Sequence, residues 1–225
     1  YDWRMSADDI LQNNSVNIIQ SIKDLQKTSK TGKVTIITHS NGGLITKSLI
    51  RELEKQNLQN LIDNIVFVAM PEYGTPQAIT SLLYGHNQSI LKGLILKPSV
   101  AHDLGINMST AYNLLPSEKY FQNKNIDKSK IENAMFSDAN FNQLLFNKSK
   151  EFHNSIDNII YPENINIYQI IGIGLNTVYD ISVNDNKINP LYDKNGDGVV
   201  QDFQNLRYGT TTYIDLNNTQ YKHAN

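Results

Sequence analysis

The sequence predicts a mixed α/β fold, a mostly parallel sheet flanked by helices with a helical insertion, and three observations predict it. Two short, almost wholly apolar runs rich in β-branched residues, Val34-Thr35-Ile36-Ile37 and Ile65-Val66-Phe67-Val68, have the composition of strands buried on both faces of a parallel sheet. Helical stripes alternate with them, as in βαβ units. The first run also passes through Ser40-Asn41-Gly42-Gly43 straight into a helical stripe, a strand–turn–helix junction without a long loop.

In chain order, residues 6–28 carry Ile10, Leu11, Ile18, Ile19, Ile22 and Leu25 at helical spacing, with Ser6 and Asp9 as the start signal, so one helix is expected there. Thr31-Gly32 ends it ahead of the first strand. Leu44, Ile45, Leu49, Ile50 and Leu53 form the stripe of the next helix, and the second strand follows. From 77 to about 161 helical pieces are broken by Pro98, by Pro116-Ser117 and by an Asn/Lys-rich stretch at 123–130, which reads as a cap or lid insertion. Sheet character returns at 165–171 and 210–216, and 184–198 between them is loop-like. No internal repeat and no second domain with its own core is visible, so residues 1–225 are expected to form one domain.

Composition narrows the function classes. Twenty Lys+Arg against twenty-two Asp+Glu leave a net charge of −2, without the basic footprint of a nucleic-acid binder. A hydrophobic content of 40% supports a sizeable core. The absence of cysteine excludes a disulfide scaffold, a thiolate zinc site and a cysteine nucleophile. No apolar run approaches the ~20 residues that span a bilayer, so the chain is expected to be soluble as given, with secreted and membrane-surface locations both open.

The junction at 38–43 is where chemistry can sit. A serine on a tight turn between a buried strand and a helix is held above the sheet, over the positive end of the helix dipole. The residues two before and two after it must be small for strand and helix to approach; Gly42 meets that demand and Thr38 meets it in part. Ser40 is therefore the candidate nucleophile, and the Asn41 N–H the candidate oxyanion donor. A nucleophilic serine needs a base, and the base an orienting carboxylate. Among five histidines, His39 adjoins the serine with its side chain directed away, and His86, His102 and His153 fall in the insertion. His223 alone follows a late strand and is the candidate base. Asp197, between Gly196 and Gly198 in a sharp turn, is the candidate acid, with Asp202 and Asp215 as fallbacks.

At these residues the sequence resembles the lecithin:cholesterol acyltransferase-like branch of the α/β-hydrolase fold, which holds lipases, phospholipases and acyltransferases. Tyr1-Asp2-Trp3-Arg4 is similar to that family's Tyr-Asp-Trp-Arg segment, and 38–43 to its His-Ser-x-Gly-Gly elbow. Pro71-Glu72-Tyr73-Gly74-Thr75-Pro76 is similar to the turn that follows, and Asn195-Gly196-Asp197-Gly198-Val199-Val200 to Gly-Asp-Gly-Thr-Val. Tyr112-Asn113-Leu114-Leu115-Pro116-Ser117 is similar to the cap segment of bacterial members. Departures are Thr38 for the elbow glycine, Val199 for threonine, and Gln201 where proline is usual. The resemblance implies Ser40 as nucleophile, Asp197 as acid and His223 as base, a lipid or other acyl-ester substrate at a lipid interface, and no cofactor. It also implies an N-terminally incomplete domain, because the second oxyanion donor of this fold comes from a loop upstream of the Tyr-Asp-Trp-Arg segment. One sheet edge would then be unpaired.

Two further expectations complete the reading. Ile90-Leu91, Leu94-Ile95-Leu96 and Val100, broken by Lys92, Gly93 and Lys97, would form a lid over an acyl groove. As an alternative for the acid turn, Asp193, Asn195 and Asp197 have the spacing of a calcium loop with glycine at its sixth position, although its twelfth is the neutral Gln204. A hydrolase fold retained only for binding is the other alternative.

Overall fold

The computed structural model describes residues 2–12, 18–85, 97–122, 127–185, 187–202 and 208–218. Helix α1 (Ala7–Gln12) begins as its signal requires, with the Ser6 hydroxyl accepting the Asp9 N–H at 3.1 Å. Helix α2 (Ile18–Thr28) carries the rest of the stripe expected over 6–28, and residues 13–17 lie outside the described residues.

Strands β1 (Val34–His39) and β2 (Ile62–Val68) flank helix α3 (Gly42–Lys55), and both strands fall on the apolar runs. Strand β3 (Asn166–Ile173) begins after the insertion. Strands β4 (Leu175–Asn184) and β5 (Lys187–Gly196) form an antiparallel hairpin, and β6 (Thr210–Asp215) returns to the main sheet. That sheet has order β1-β2-β3-β6 with every pair parallel, so the carboxyl ends of all four strands share one rim. On one face Ile65, Phe67 and Ile167 pack against Ile22 of α2 and Leu49, Ile50 and Leu53 of α3. On the other, Ile37, Tyr168 and Ile214 occupy one side of the sheet by register, and Ile37 is 72% exposed. Among the described residues no strand pairs with the outer edge of β1.

The insertion is helical: α4 (Pro76–Tyr84), α5 (Pro98–Gly105), α6 (Ser109–Asn113), α7 (Glu118–Gln122), α8 (Lys128–Phe136) and α9 (Gln143–Ile156). Pro76 and Pro98 open α4 and α5, where a missing N–H costs nothing. Thr75, Asp127 and Asn142 cap α4, α8 and α9 through side-chain oxygens. The last helix returns to the sheet layer, with Phe152 and Ile156 packing on Leu44 and Ile45 of α3 and on Ala7 and Ile10 of α1. The earlier helices share an apolar cluster with the hairpin, in which Ile79, Leu82, Tyr112 and Ile131 meet Val178, Ile181 and Ile188.

The hairpin corrects the loop expected over 184–198. Few β5 side chains are buried, among them Ile188, so the strand has no apolar alternation of its own and is held by pairing with β4. The lid residues 90–96 lie outside the described residues; Val100 is exposed on α5.

Candidate active site

Ser40 sits where β1 ends and α3 begins, with φ at +51°, a region costly for any residue with a side chain. The backbone around it explains why it stays there. Its N–H donates to Val68 O of β2 at 2.9 Å, its carbonyl accepts from Gly43 N–H at 2.9 Å, and Asn41 O accepts from Leu44 N–H at 3.0 Å. These bonds tie the turn to the neighbouring strand and to the first turn of the helix, so relaxing Ser40 would break them. The requirement for small residues is met at a different position from the one expected. A Cβ at Gly42 would stand 3.6 Å from Thr38 Cβ, an ordinary contact, whereas a Cβ at Gly43 would come within 2.4 Å of Met70 Cγ and Sδ. The close approach is thus between the helix and Met70, two residues past the end of β2. Beneath the turn the Thr38 hydroxyl is buried with no hydrogen-bond partner among the described residues, an arrangement that costs about 1–3 kcal/mol.

Asn41 caps α3 without a side-chain bond into it; its amide instead donates to Thr110 Oγ1 of α6 at 2.9 Å, fastening the elbow to the cap. Among the described residues no carbonyl pairs with the Asn41 N–H, which stands at the positive end of the helix.

Asp197 lies in the turn after β5 and is 3% exposed. Its Oδ1 accepts the N–H groups of Val199 at 2.9 Å and Val200 at 2.8 Å. The turn abuts β3, because a Cβ on Gly172 would lie 2.8 Å from Asp197 Cβ. Its two glycines serve different needs. A Cβ on Gly196 would meet Thr177 Oγ1 and Val200 O, both at 2.6 Å, while Gly198 holds φ at +100° and donates its N–H to Thr177 Oγ1 at 2.8 Å. From the cap, the Thr75 hydroxyl donates to Val199 O at 3.1 Å.

Ser40 therefore follows β1, the Asp197 turn leans on β3, and the tail leading to His223 leaves β6, all at the common rim of a parallel sheet. His223 itself lies outside the described residues. His39 is exposed at the end of β1, and His86 lies outside the described residues. The remaining two are cap fasteners: His102 Nδ1 is 2.8 Å from Leu82 O, and buried His153 lies between Asp157 Oδ1 at 3.0 Å and Asn113 O at 2.8 Å. Of the fallback acids, Asp202 accepts from the Tyr213 hydroxyl at 3.4 Å, and Asp215 closes the turn past β6 by accepting from Asn217 N–H at 2.9 Å. In the candidate calcium loop, Asp193 accepts from Asn195 N–H at 2.9 Å and from its side-chain amide at 3.0 Å. Gln204 lies outside the described residues, and among those described no three His, Asp or Glu side chains group to hold a metal.

One polar constellation escaped the sequence reading. Lys47 of α3 is fully buried and pairs with Glu72 Oε1 at 2.6 Å, while the Tyr208 hydroxyl donates to Glu72 Oε2 at 2.6 Å and lies 3.2 Å from the Tyr161 hydroxyl. Burial first and the Glu72 charge second push the Tyr208 and Tyr161 hydroxyls far up, so both stay protonated. The same two causes raise Tyr73 to about 12. This network joins the elbow helix, the turn after β2 and the residue leading into β6, and Glu72 lines the same ~40 Å³ cavity as Asp197. The signal was Lys47 itself, a charge three residues from both Leu44 and Ile50 on an apolar stripe.

The geometry can be set beside known proteins. Among solved structures, the Tle4–Tli4 complex is similar at 14% identity and a TM-score of 0.49, over 76% of this chain and 44% of that one. The mature form of the Bacillus licheniformis lipase BlEst2 is similar at 15% identity and a TM-score of 0.37, over 69% of this chain and 45% of that one. The chain thus spans less than half the length of either. No curated protein matches it in sequence. The sequence model of the family described as Lecithin:cholesterol acyltransferase matches residues 1–221, taking in the elbow, the parallel sheet and the aspartate turn together. With its α/β-hydrolase fold, the chain belongs to the lecithin:cholesterol acyltransferase family.

Proposed function

We propose that this chain carries the nucleophile, acid and base of a serine hydrolase or O-acyltransferase acting on lipid esters. The observation that carries the reading is Ser40 held at φ +51° at the strand–helix turn, with the buried Asp197 turn on the same sheet rim. In the proposed cycle, Ser40 Oγ bonds to the ester carbonyl carbon as His223 takes its proton, and the Asn41 N–H donates to the developing oxyanion. Collapse breaks the bond to the leaving alcohol, which receives the proton from His223 and leaves the acyl group on Ser40. Water or a second alcohol then attacks that acyl-enzyme, gives its proton to His223, and regenerates the serine. Asp197 holds the imidazole tautomer and stabilises its cation. The cycle balances without a cofactor.

A fluorophosphonate probe tests it in the complete protein. Covalent labelling should map to Ser40 and vanish in Ser40→Ala. Labelling that persists in that variant would remove Ser40 from the role.

A further inference from the structure

The residue after the candidate nucleophile is held from outside its own turn. Asn41 stands at the N-cap of α3, where an asparagine ordinarily turns its side-chain oxygen back onto the first-turn N–H groups. Here those groups are taken by backbone oxygens, Gly43 N–H by Ser40 O and Leu44 N–H by Asn41 O. The Asn41 amide turns outward instead and donates to Thr110 Oγ1 at 2.9 Å. Thr110 belongs to α6, whose five residues are too few to hold a helical shape alone. Bonds from several elements hold it. Ahead of α1, Arg4 O accepts from Thr110 N–H at 3.3 Å, and Ala7 N–H donates to the Asn113 side-chain oxygen at 3.4 Å. From α9, the Ser149 hydroxyl donates to Tyr112 O at 2.6 Å and His153 Nε2 lies 2.8 Å from Asn113 O. Thr75 N–H donates to Leu114 O at 2.8 Å, and the ring of Tyr112 is fully buried, its hydroxyl accepting from Asn142 N–H at 2.9 Å. The short helix is thus a fixed post, and the side chain it presents to the elbow is the buried Thr110.

We propose that Thr110 is a positioning residue for the reaction at Ser40. Through the Asn41 side chain it fixes the Asn41 N–H as oxyanion donor, which ties the chemical step to the seating of α6 although Thr110 touches no reacting atom; this rests on the reading of Ser40 as nucleophile. The peptide plane between Ser40 and Asn41 carries that N–H. Its Ser40 O edge is bonded to Gly43 of α3, and residue 41 at its other end is bonded to the cap, so the donor is fixed between two elements. Such fixing matters because a donor already in place needs no reorganisation as charge develops, and its geometry must hold to within about 0.5 Å. Without the Thr110 hydroxyl, residue 41 would be restrained from the α3 side alone.

The test uses the complete protein with p-nitrophenyl decanoate. Thr110→Val keeps the outline of the side chain and removes the acceptor; it should lower kcat and kcat/KM together by about 10–100-fold with KM unchanged, the sign of an interaction made in the transition state. Thr110→Ser, which returns a hydroxyl, should recover most of that loss. Asn41→Ala breaks the same bond from the other side while keeping the N–H, and should cost a similar factor. Because both variants remove one bond, Asn41→Ala with Thr110→Val should lose no more than either alone. Losses that multiply in the double variant overturn the proposal, as does a full kcat in Thr110→Val. A raised KM with kcat preserved, accompanied by a lowered thermal midpoint, also overturns it, since a merely structural role gives that result. Fluorophosphonate mapping keeps the two readings apart. A label on Ser40 combined with any of these outcomes removes the role of Thr110 alone, whereas a label on another residue of the unaltered protein removes both.

Discussion

The serine turn and the aspartate turn solve the same problem in opposite ways. Each must lift one side chain above the rim of the sheet, and each departs from regular backbone to do so. At the serine turn the strain is borne by the candidate nucleophile itself, Ser40 at φ +51°, and backbone bonds to β2 and within the start of α3 hold it. At the aspartate turn the strain is moved to Gly198 at φ +100°, and the supports are side-chain hydroxyls, Thr177 of the hairpin and Thr75 ahead of α4. A non-glycine residue at positive φ persists where backbone bonds over-determine it; a turn held by side-chain hydroxyls relies on glycine.

Activity should separate the two turns most widely. In the complete protein, Ser40→Ala is expected to lower kcat by about 10⁶-fold and Asp197→Asn by about 10⁴-fold, the orders found in serine triads. Stability should change in the opposite sense. Ser40→Gly should gain about 1 kcal/mol by releasing the positive φ, whereas Asp197→Ala should lose about 1–3 kcal/mol because two N–H groups lose their acceptor. Urea denaturation midpoints would sharpen the contrast, and a stabilised Asp197→Ala would break it.

The buried pair behind the serine turn comes next. Lys47→Met should cost about 3–5 kcal/mol by leaving Glu72 buried without its cation, and Lys47→Met with Glu72→Gln should recover most of that. If the double variant is no more stable than the single, the pair is not what sets the cost. A smaller difference is expected between adjacent glycines. Gly43→Ala should cost about 1–3 kcal/mol through overlap with Met70, and Gly42→Ala should stay within about 0.5 kcal/mol. Met70→Ala in the Gly43→Ala background should relieve the clash, read as a rise in thermal midpoint over Gly43→Ala alone.

The smallest effect lies at the chain's exposed Asp2. Hydrogen bonds from the Arg4 side chain and backbone, followed by the Arg4 charge, hold its carboxyl down at about 2 against an ordinary 3.8. A depressed carboxylate contributes above its unfolded value and loses that contribution as pH falls through its folded one, so the pairing is intact above about pH 4 and lost toward pH 2. Salt should weaken it. An NMR titration should place the Asp2 midpoint near 2, and Arg4→Gln should return it toward the ordinary carboxylate range.

Legibility in the sequence followed the locality of the forces. The strand, turn and helix around Ser40 were readable because β1, α3 and β2 each carry their own periodicity and lie close together in the chain. The Ser6 signal was readable for the same reason, being one hydroxyl and one N–H three residues on. Strand β5 was not readable, since its conformation comes from pairing with β4 and few of its own residues are buried. Gly42 and Gly43 were misjudged because which glycine matters depends on Met70, a residue on the far side of β2. The Lys47–Glu72–Tyr208 network includes a bonded pair 136 positions apart, Glu72 and Tyr208, and only the misplaced charge on the α3 stripe hinted at it.

The most direct measurement of the central claim is to trap the acyl-enzyme. The complete protein, mixed with p-nitrophenyl decanoate and quenched in acid within the first turnover, should gain one decanoyl group by intact mass, and peptide mapping should place it on Ser40. Asp197→Asn should slow its appearance, and Ser40→Ala should abolish both the adduct and the nitrophenol burst. An adduct on another residue, or unchanged turnover in Ser40→Ala, would contradict the assignment of the strained serine as nucleophile.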